Sequence, residues 1–162
     1  MQKRKEKIIH KHSPAITIWE GIGIQGTTTL HIIRGSINSG TYTEILGENL
    51  LVTIGTLYPD GYELQQDNAK PHTSHCTKQW LTEHGIRVVS WPAWSPDLNI
   101  IENVWAIMKD RLEKSERRTL SEWTLEIQKI WNELGPDFLK SFFDSLPRRI
   151  EMRITANGDT IK

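Results

Sequence analysis

The sequence holds a single cysteine, Cys76, in 162 residues, so no internal disulfide can form and a reducing compartment, nucleus or cytoplasm, is expected. It has no net charge, 20 Lys and Arg against 20 Asp and Glu, which excludes a generally basic nucleic-acid binder. No apolar run approaches the roughly 20 residues that span a bilayer, so no membrane association is expected. The opening MQKRKEK is too poor in apolar residues for a secretory signal, and is at most a weak nuclear-import patch. Internal repeats and low-complexity linkers are absent as well. What is left is a chain of ordinary composition, long enough for one globular domain with a real core.

Charge is unevenly spread. Lys3, Arg4, Lys5 and Lys7 crowd a basic tail over residues 1–12, while Arg117 and Arg118, and Arg148 and Arg149 with Arg153, mark the later part. Each cluster taken alone reads first as a solvated face and second as a phosphate contact. Between them the elements follow the order β-β-α-β-α-β. Two β-branched runs, 15–19 and 28–33, are joined by a link carrying Gly21, Gly23 and Gly26, which predicts an antiparallel hairpin. Helical spacing of Tyr42, Ile45, Leu46, Asn49 and Leu50 predicts a helix over 38–53. A short extended segment at Tyr62 to Gln66, a helix from about Thr73 to His84 stopped by Gly85, and an apolar run from Ile86 to Val89 follow. The class is therefore α/β, a mixed sheet flanked by helices, with a helical carboxyl-terminal tail.

The stretch LQQDNAKPHTSHC places Asp67 at the end of the Tyr62 segment, where open α/β sheets gather their chemistry. An isolated Asp-Asn pair before Pro71 otherwise reads as turn chemistry. A second carboxylate changes the balance. In SWPAWSPDLNIIENVWAIMKDRL, Ser95 or Asp97 is expected to cap a helix with Pro96 in its first turn, and Leu98, Ile101, Val104, Trp105, Met108 and Leu112 to form its apolar stripe. Asn99, Glu102, Ala106 and Lys109 fall on an adjoining face. Glu102 thus projects beside a buried stripe, and two carboxylates on rigid elements are what a site for hard divalent cations requires.

QQDNAKPHTS, with Asp67, and SPDLNIIENVW, with Glu102, resemble the second and third acidic motifs of mariner-like transposases of the DDE type, and 34 residues separate the two acids, a spacing found in one branch of that superfamily. The resemblance covers nearly everything from His12 to Lys162, with the domain expected over residues 13–162: HSPAITIWEGI is similar to the family's second strand, GSINSGTYTEILGENLL to its first helix region and SLPRRIEMRITANGDT to its carboxyl-terminal helix. It implies a ribonuclease-H-like domain that cuts and joins DNA with two Mg²⁺ or Mn²⁺ ions, Asp67 and Glu102 being catalytic and metal-ligating. DNA is the implied partner, a homo-oligomer is possible within the family, and no small-molecule substrate is implied. The family's first catalytic Asp stands on a strand upstream of the HSPAITIW match, and this chain is expected to begin too late to contain it. Strand transfer is then expected to be lost and nicking to be weak. The alternative is a non-catalytic nucleic-acid-binding or oligomerising module.

Lesser residues have competing readings. Asn68 and Asn103, each next to an acid, and Asn99 are expected as supporting groups that hold the carboxylate rotamers. His72 either helps position Asp67 or packs a loop against a helix. Lys109, Arg148 and Arg149 are weak candidates for DNA backbone contact, with solvent exposure as the other reading. Glu20, after the strand end at Trp19, reads as a solvated hairpin residue before it reads as a replacement ligand. Asp60 lies seven residues before Asp67, about 23 Å away at roughly 3.3 Å per extended residue, too far to share a metal. Trp91 and Trp94 read as loop packing before base stacking. Trp123, Ile127, Ile130, Trp131 and Leu134, after a capping box at Thr119 to Glu122, read as the core face of a covering helix.

Overall fold

Side chains that alternate along one short strand set the architecture. In a computed structural model describing residues 16–92, 95–114 and 119–159, β1 (Thr17–Trp19) pairs antiparallel with β4 (His31–Ile33) in the register Thr17 with Ile33, Ile18 with Ile32 and Trp19 with His31. Successive strand residues point to opposite faces. Ile16, Ile18 and Ile32 accordingly pack on one apolar cluster, built from Leu30, Val104, Met108, Ile127, Ile130, Trp131, Leu134 and Leu139. Trp19 packs on another, built from Tyr42, Leu46, Leu50, Ile54, Leu81 and Ile86. The expected hairpin is present, and its glycine-bearing link forms a small hairpin of its own, β2 (Ile22–Gly23) with β3 (Gly26–Thr27).

The helices divide between the two clusters. On Trp19's side run α1 (Ser39–Ile45), a π-helical turn (Leu46–Leu50) and α2 (Leu51–Leu57), so the expected helix extends further and carries a bulge. Asn38 caps it by accepting from Thr41 N–H, and the buried Asn49 side chain donates to the Ile45 carbonyl beside the π turn. The helix expected from Thr73 is instead two pieces, α3 (Lys70–Thr73) and α4 (His75–Glu83), because Ser74 takes extended backbone and caps α4 through Thr77 N–H. On the other side lie α5 (Ile100–Glu113), α6 (Leu120–Asn132) and α7 (Pro136–Thr155). The Thr119–Glu122 capping box of α6 is formed, and Ile127, Ile130 and Trp131 are buried beneath it.

Two expectations are corrected here. The segments at Tyr62 and Ile86 are not full strands: they meet in one parallel bridge, Leu64 with Val88, held by Leu64 N–H to the Arg87 carbonyl at 2.8 Å and Val89 N–H to the Leu64 carbonyl at 2.9 Å. Extended backbone needs a lateral partner to continue as sheet, and these runs find one over a single residue pair. Neither Ser95 nor Asp97 caps α5. The residues from Pro96 to Leu98 form a turn and the helix starts at Ile100; of the expected apolar stripe Leu98, Val104 and Met108 are buried and Ile101, Trp105 and Leu112 half-buried, with Ile100 buried beside them. Asp97 has a stronger partner in Arg153. The basic tail over residues 1–12, Trp94, Arg117 and Arg118 lie outside the described residues. No helix among the described residues is long and apolar enough to cross a membrane.

Candidate catalytic and metal-binding site

Asp67 follows the Leu64 bridge at the mouth of α3. Its Oδ1 accepts the Ala69 N–H at 3.0 Å, an Asx turn that redirects the chain, and lies 2.6 Å from His72 Nδ1. His72 Nδ1 is buried, and this approach is a close polar contact without hydrogen-bond geometry. The imidazole stacks on Tyr42, ring centroids 4.2 Å apart. Tyr42 O–H donates to Gln66 Oε1 at 2.6 Å, and Gln66 Nε2 donates to the His72 carbonyl at 3.3 Å. Burial pushes the Tyr42 hydroxyl well above its ordinary pKa, a hydrogen bond with Trp19 opposes this, and the negative charge of Asp67 adds to it. Asp67 therefore sits on a framed support while its own side chain stays 64% exposed.

Glu102 is the third residue of α5, and its exposed carboxylate has no protein partner among the described residues. The two acid-bearing segments are joined directly: Gln65 Nε2 donates to Asn99 Oδ1 at 3.2 Å. Asn99 is therefore a cross-link between the two segments. Asn68 ties Asp67's loop to the carbonyl of half-buried Trp91 at 3.4 Å. Asn103 faces elsewhere, accepting from Arg149 Nη1 at 2.7 Å. Arg149 also donates to the Asp97 carbonyl at 3.2 Å, so it is a half-buried tie and not a free surface cation. Arg148 and Lys109 are exposed. Gln65 and Gln66 are not singled out by sequence reasoning, and only their place inside the Asp67 motif offers a signal; Tyr42 reads there only as a helix position and Arg153 only as part of a basic cluster.

The donor chemistry fits a hard divalent cation. Both acids offer exposed carboxylate oxygens, and Mg²⁺ keeps several waters in its shell when held by one or two carboxylates. Among the described residues no group of three His, Cys, Asp or Glu is placed to hold a metal ion. Glu20 is not the solvated residue expected: it is 8% exposed, and neither carboxylate oxygen has a hydrogen-bond partner among the described residues. Burial raises its pKa from 4.5 to about 8.

Helices on both faces of a small antiparallel sheet, with the segments that carry Asp67 and Glu102 joined by the Gln65 to Asn99 bond, fit a ribonuclease-H-like domain, and residues 11–125 match the family model of the DDE superfamily endonucleases, to which this chain belongs. Among curated relatives it is 31% identical over 102 residues to the Tc1 transposase of Caenorhabditis elegans, covering 63% of this chain and 37% of that protein. It is 27% identical over 149 residues to the Tc3 transposase of the same species, covering 90% of this chain and 45% of the relative. The chain thus spans well under two thirds of the transposases it matches. Among solved structures, the Mos1 transposase catalytic domain with Raltegravir and Mg superposes with a TM-score of 0.83 at 17% identity, covering 91% of this chain and 77% of that one. A pre-cleavage Mos1 transpososome gives 0.83 at 17% identity, over 99% of this chain and 53% of the other.

Proposed function

We propose that this chain is a transposase catalytic domain of the Tc1/mariner type that acts on DNA, with Asp67 and Glu102 as its metal-ligating pair. The observation that carries this is the Gln65 to Asn99 hydrogen bond. That bond brings the start of α5, three residues before Glu102, against the segment two residues before Asp67, which supports reading the two acids as a pair. The chemistry supplied by divalent cations at such a site is activation of an oxygen nucleophile and stabilisation of the leaving oxygen in phosphoryl transfer. The chain's own part is to hold the carboxylates: Ala69 N–H and His72 fix the Asp67 rotamer, and the Gln65 tie fixes the approach of α5. The relatives' names support DNA transposition, and solved Mos1 complexes include a paired-end complex with a transposon end.

With two ligands and no third acid joined to them among the described residues, these 162 residues alone should nick DNA weakly and transfer strands undetectably. A DNA substrate assigns the protein to the nucleus, and a second copy is its proposed assembly partner. The test is Mg²⁺- or Mn²⁺-dependent nicking of supercoiled plasmid by the chain as it stands and by the chain extended upstream with a strand bearing an Asp. Expected is a gain of cleavage with Asp in that strand and none with Asn. Strong cleavage by the unextended chain, lost in Asp67→Asn or Glu102→Gln, would show that an acid within it completes the site. Absence of divalent-ion binding in both forms would favour the non-catalytic module instead.

A further inference from the structure

The first turn of α5, which carries Glu102, has no side-chain cap of its own: Asn99 occupies the N-cap position without bonding the helix. The turn is instead held from outside. On one side Gln65 grips Asn99; on the other, two arginines of α7 grip its flanks. Arg149 Nη1 donates to the Asp97 carbonyl, before the turn, and to Asn103 Oδ1, within it, at 3.2 and 2.7 Å. Arg153 Nη1 donates to both Asp97 carboxylate oxygens at 2.5 and 2.7 Å. Side-chain exposures of 16% for Arg153 and 8% for Asp97 put this pair where water screens it little.

The rest of α7 shows what these contacts are for. Its first half is anchored in the core by Leu139, with Phe138 and Phe143 packed against it. Pro147 then interrupts the helix, lacking the N–H that would bond the Phe143 carbonyl. Beyond it Ile150, Met152 and Ile154 are 41%, 37% and 70% exposed, so the distal half is not fixed by apolar burial. Arg149 and Arg153, one turn apart, reach inward from it. We infer that the distal half of α7 braces the first turn of α5, with Arg149 and Arg153 as positioning residues for the Glu102 carboxylate. Because Arg149 holds a group on each side of the turn, rotation of that turn about the α5 axis would break one bond or the other. The consequence for metal binding rests on the proposed function above; the brace itself rests on these contacts alone.

The test uses the full chain and two readouts, amide hydrogen exchange at Glu102 to Trp105 and Mn²⁺ titration followed by water-proton relaxation. Arg149→Met and Arg153→Met should each speed exchange at those amides about tenfold, leave α6 unchanged, and weaken Mn²⁺ binding by about tenfold or more, the range for partners one shell out from a metal. Arg153→Lys should restore most of both, since a single nitrogen makes both bonds to the Asp97 carboxylate, a role an ammonium can fill. Should Arg153→Met fail to fold, Asp97→Asn removes the same ion pair and gives the same readings. Unchanged exchange overturns the brace, and faster exchange with unchanged Mn²⁺ affinity overturns the positioning role. If the wild-type chain binds Mn²⁺ no better than an Asp67→Asn, Glu102→Gln double variant, the metal site is what fails, and exchange alone then decides the brace.

Discussion

Glu20 gives the sharpest quantitative expectation, because its carboxyl is buried and both oxygens are without partners among the described residues. In the unfolded chain it ionises near 4.5, and in the fold burial holds it protonated up to about 8. Between these values folding takes up a proton, so the stability associated with this group is complete below pH 4.5 and is lost as pH rises through 8. At about 1.4 kcal/mol per unit the loss is about 3 kcal/mol at pH 7 and approaches 5 kcal/mol above pH 9, against a total of roughly 5 to 15 kcal/mol for an ordinary domain. Glu20→Met keeps the length of the side chain and removes its titration and its polar atoms. Glu20→Gln removes only the titration, leaving a buried amide that costs about 1 to 3 kcal/mol without partners. Urea unfolding followed by tryptophan fluorescence at pH 5 and pH 8.5 is the assay. The gain from Glu20→Met should be about 4 kcal/mol larger at the higher pH, other titrating groups cancelling in the difference. Equal gains at both values would refute the burial reading.

Three further outcomes follow from contacts elsewhere. Trp131 is 1% exposed and its indole N–H donates to the Thr28 carbonyl at 2.8 Å; Trp131→Phe should cost about 2 to 3 kcal/mol in chemical denaturation, from a void and an unpartnered carbonyl. Thr119→Ala removes the α6 capping box and should lower stability by about 1 kcal/mol in the same experiment. A Cβ at Gly23 would overlap the Tyr58 hydroxyl, which accepts the Gln25 N–H, so Gly23→Ala should displace Tyr58, quench that bond and cost about 1 to 3 kcal/mol by thermal unfolding.

What was legible in the sequence was what neighbouring residues decide. The β1–β4 hairpin followed from β-branched runs around glycines, and the α6 start from Thr119 and Glu122, whose partners lie three residues apart. The Leu64 and Val88 segments were read as strands from the same kind of composition. How far extended backbone pairs, however, is set by what lies beside it, and here a single bridge forms. Glu20 was misread for a related reason: a hairpin position looks solvated in one dimension, and burial is a property of the packed layers.

Around Glu102 the difference is clearest. Asp97 was read as a cap because capping is the local use of an Asp before a helix, but its partner Arg153 is 56 residues away. Asn103 was read as a support for Glu102 because it is next to it. Adjacent helix residues do not face each other, and Asn103 turns to Arg149, 46 residues on, while Asn99 turns to Gln65, 34 residues back. The helical period sets Asn103 about 100° round the helix from Glu102, but it does not separate Asn103 from Asn99, four residues back. That division comes from the backbone: Asn99 is extended at the N-cap, outside the period, and turns to Gln65. Asn103, Asp97 and the two arginines are tied to one another at the flank of the first turn of α5, so their substitution should act on Glu102 through the backbone of that helix and not by contact with its carboxylate.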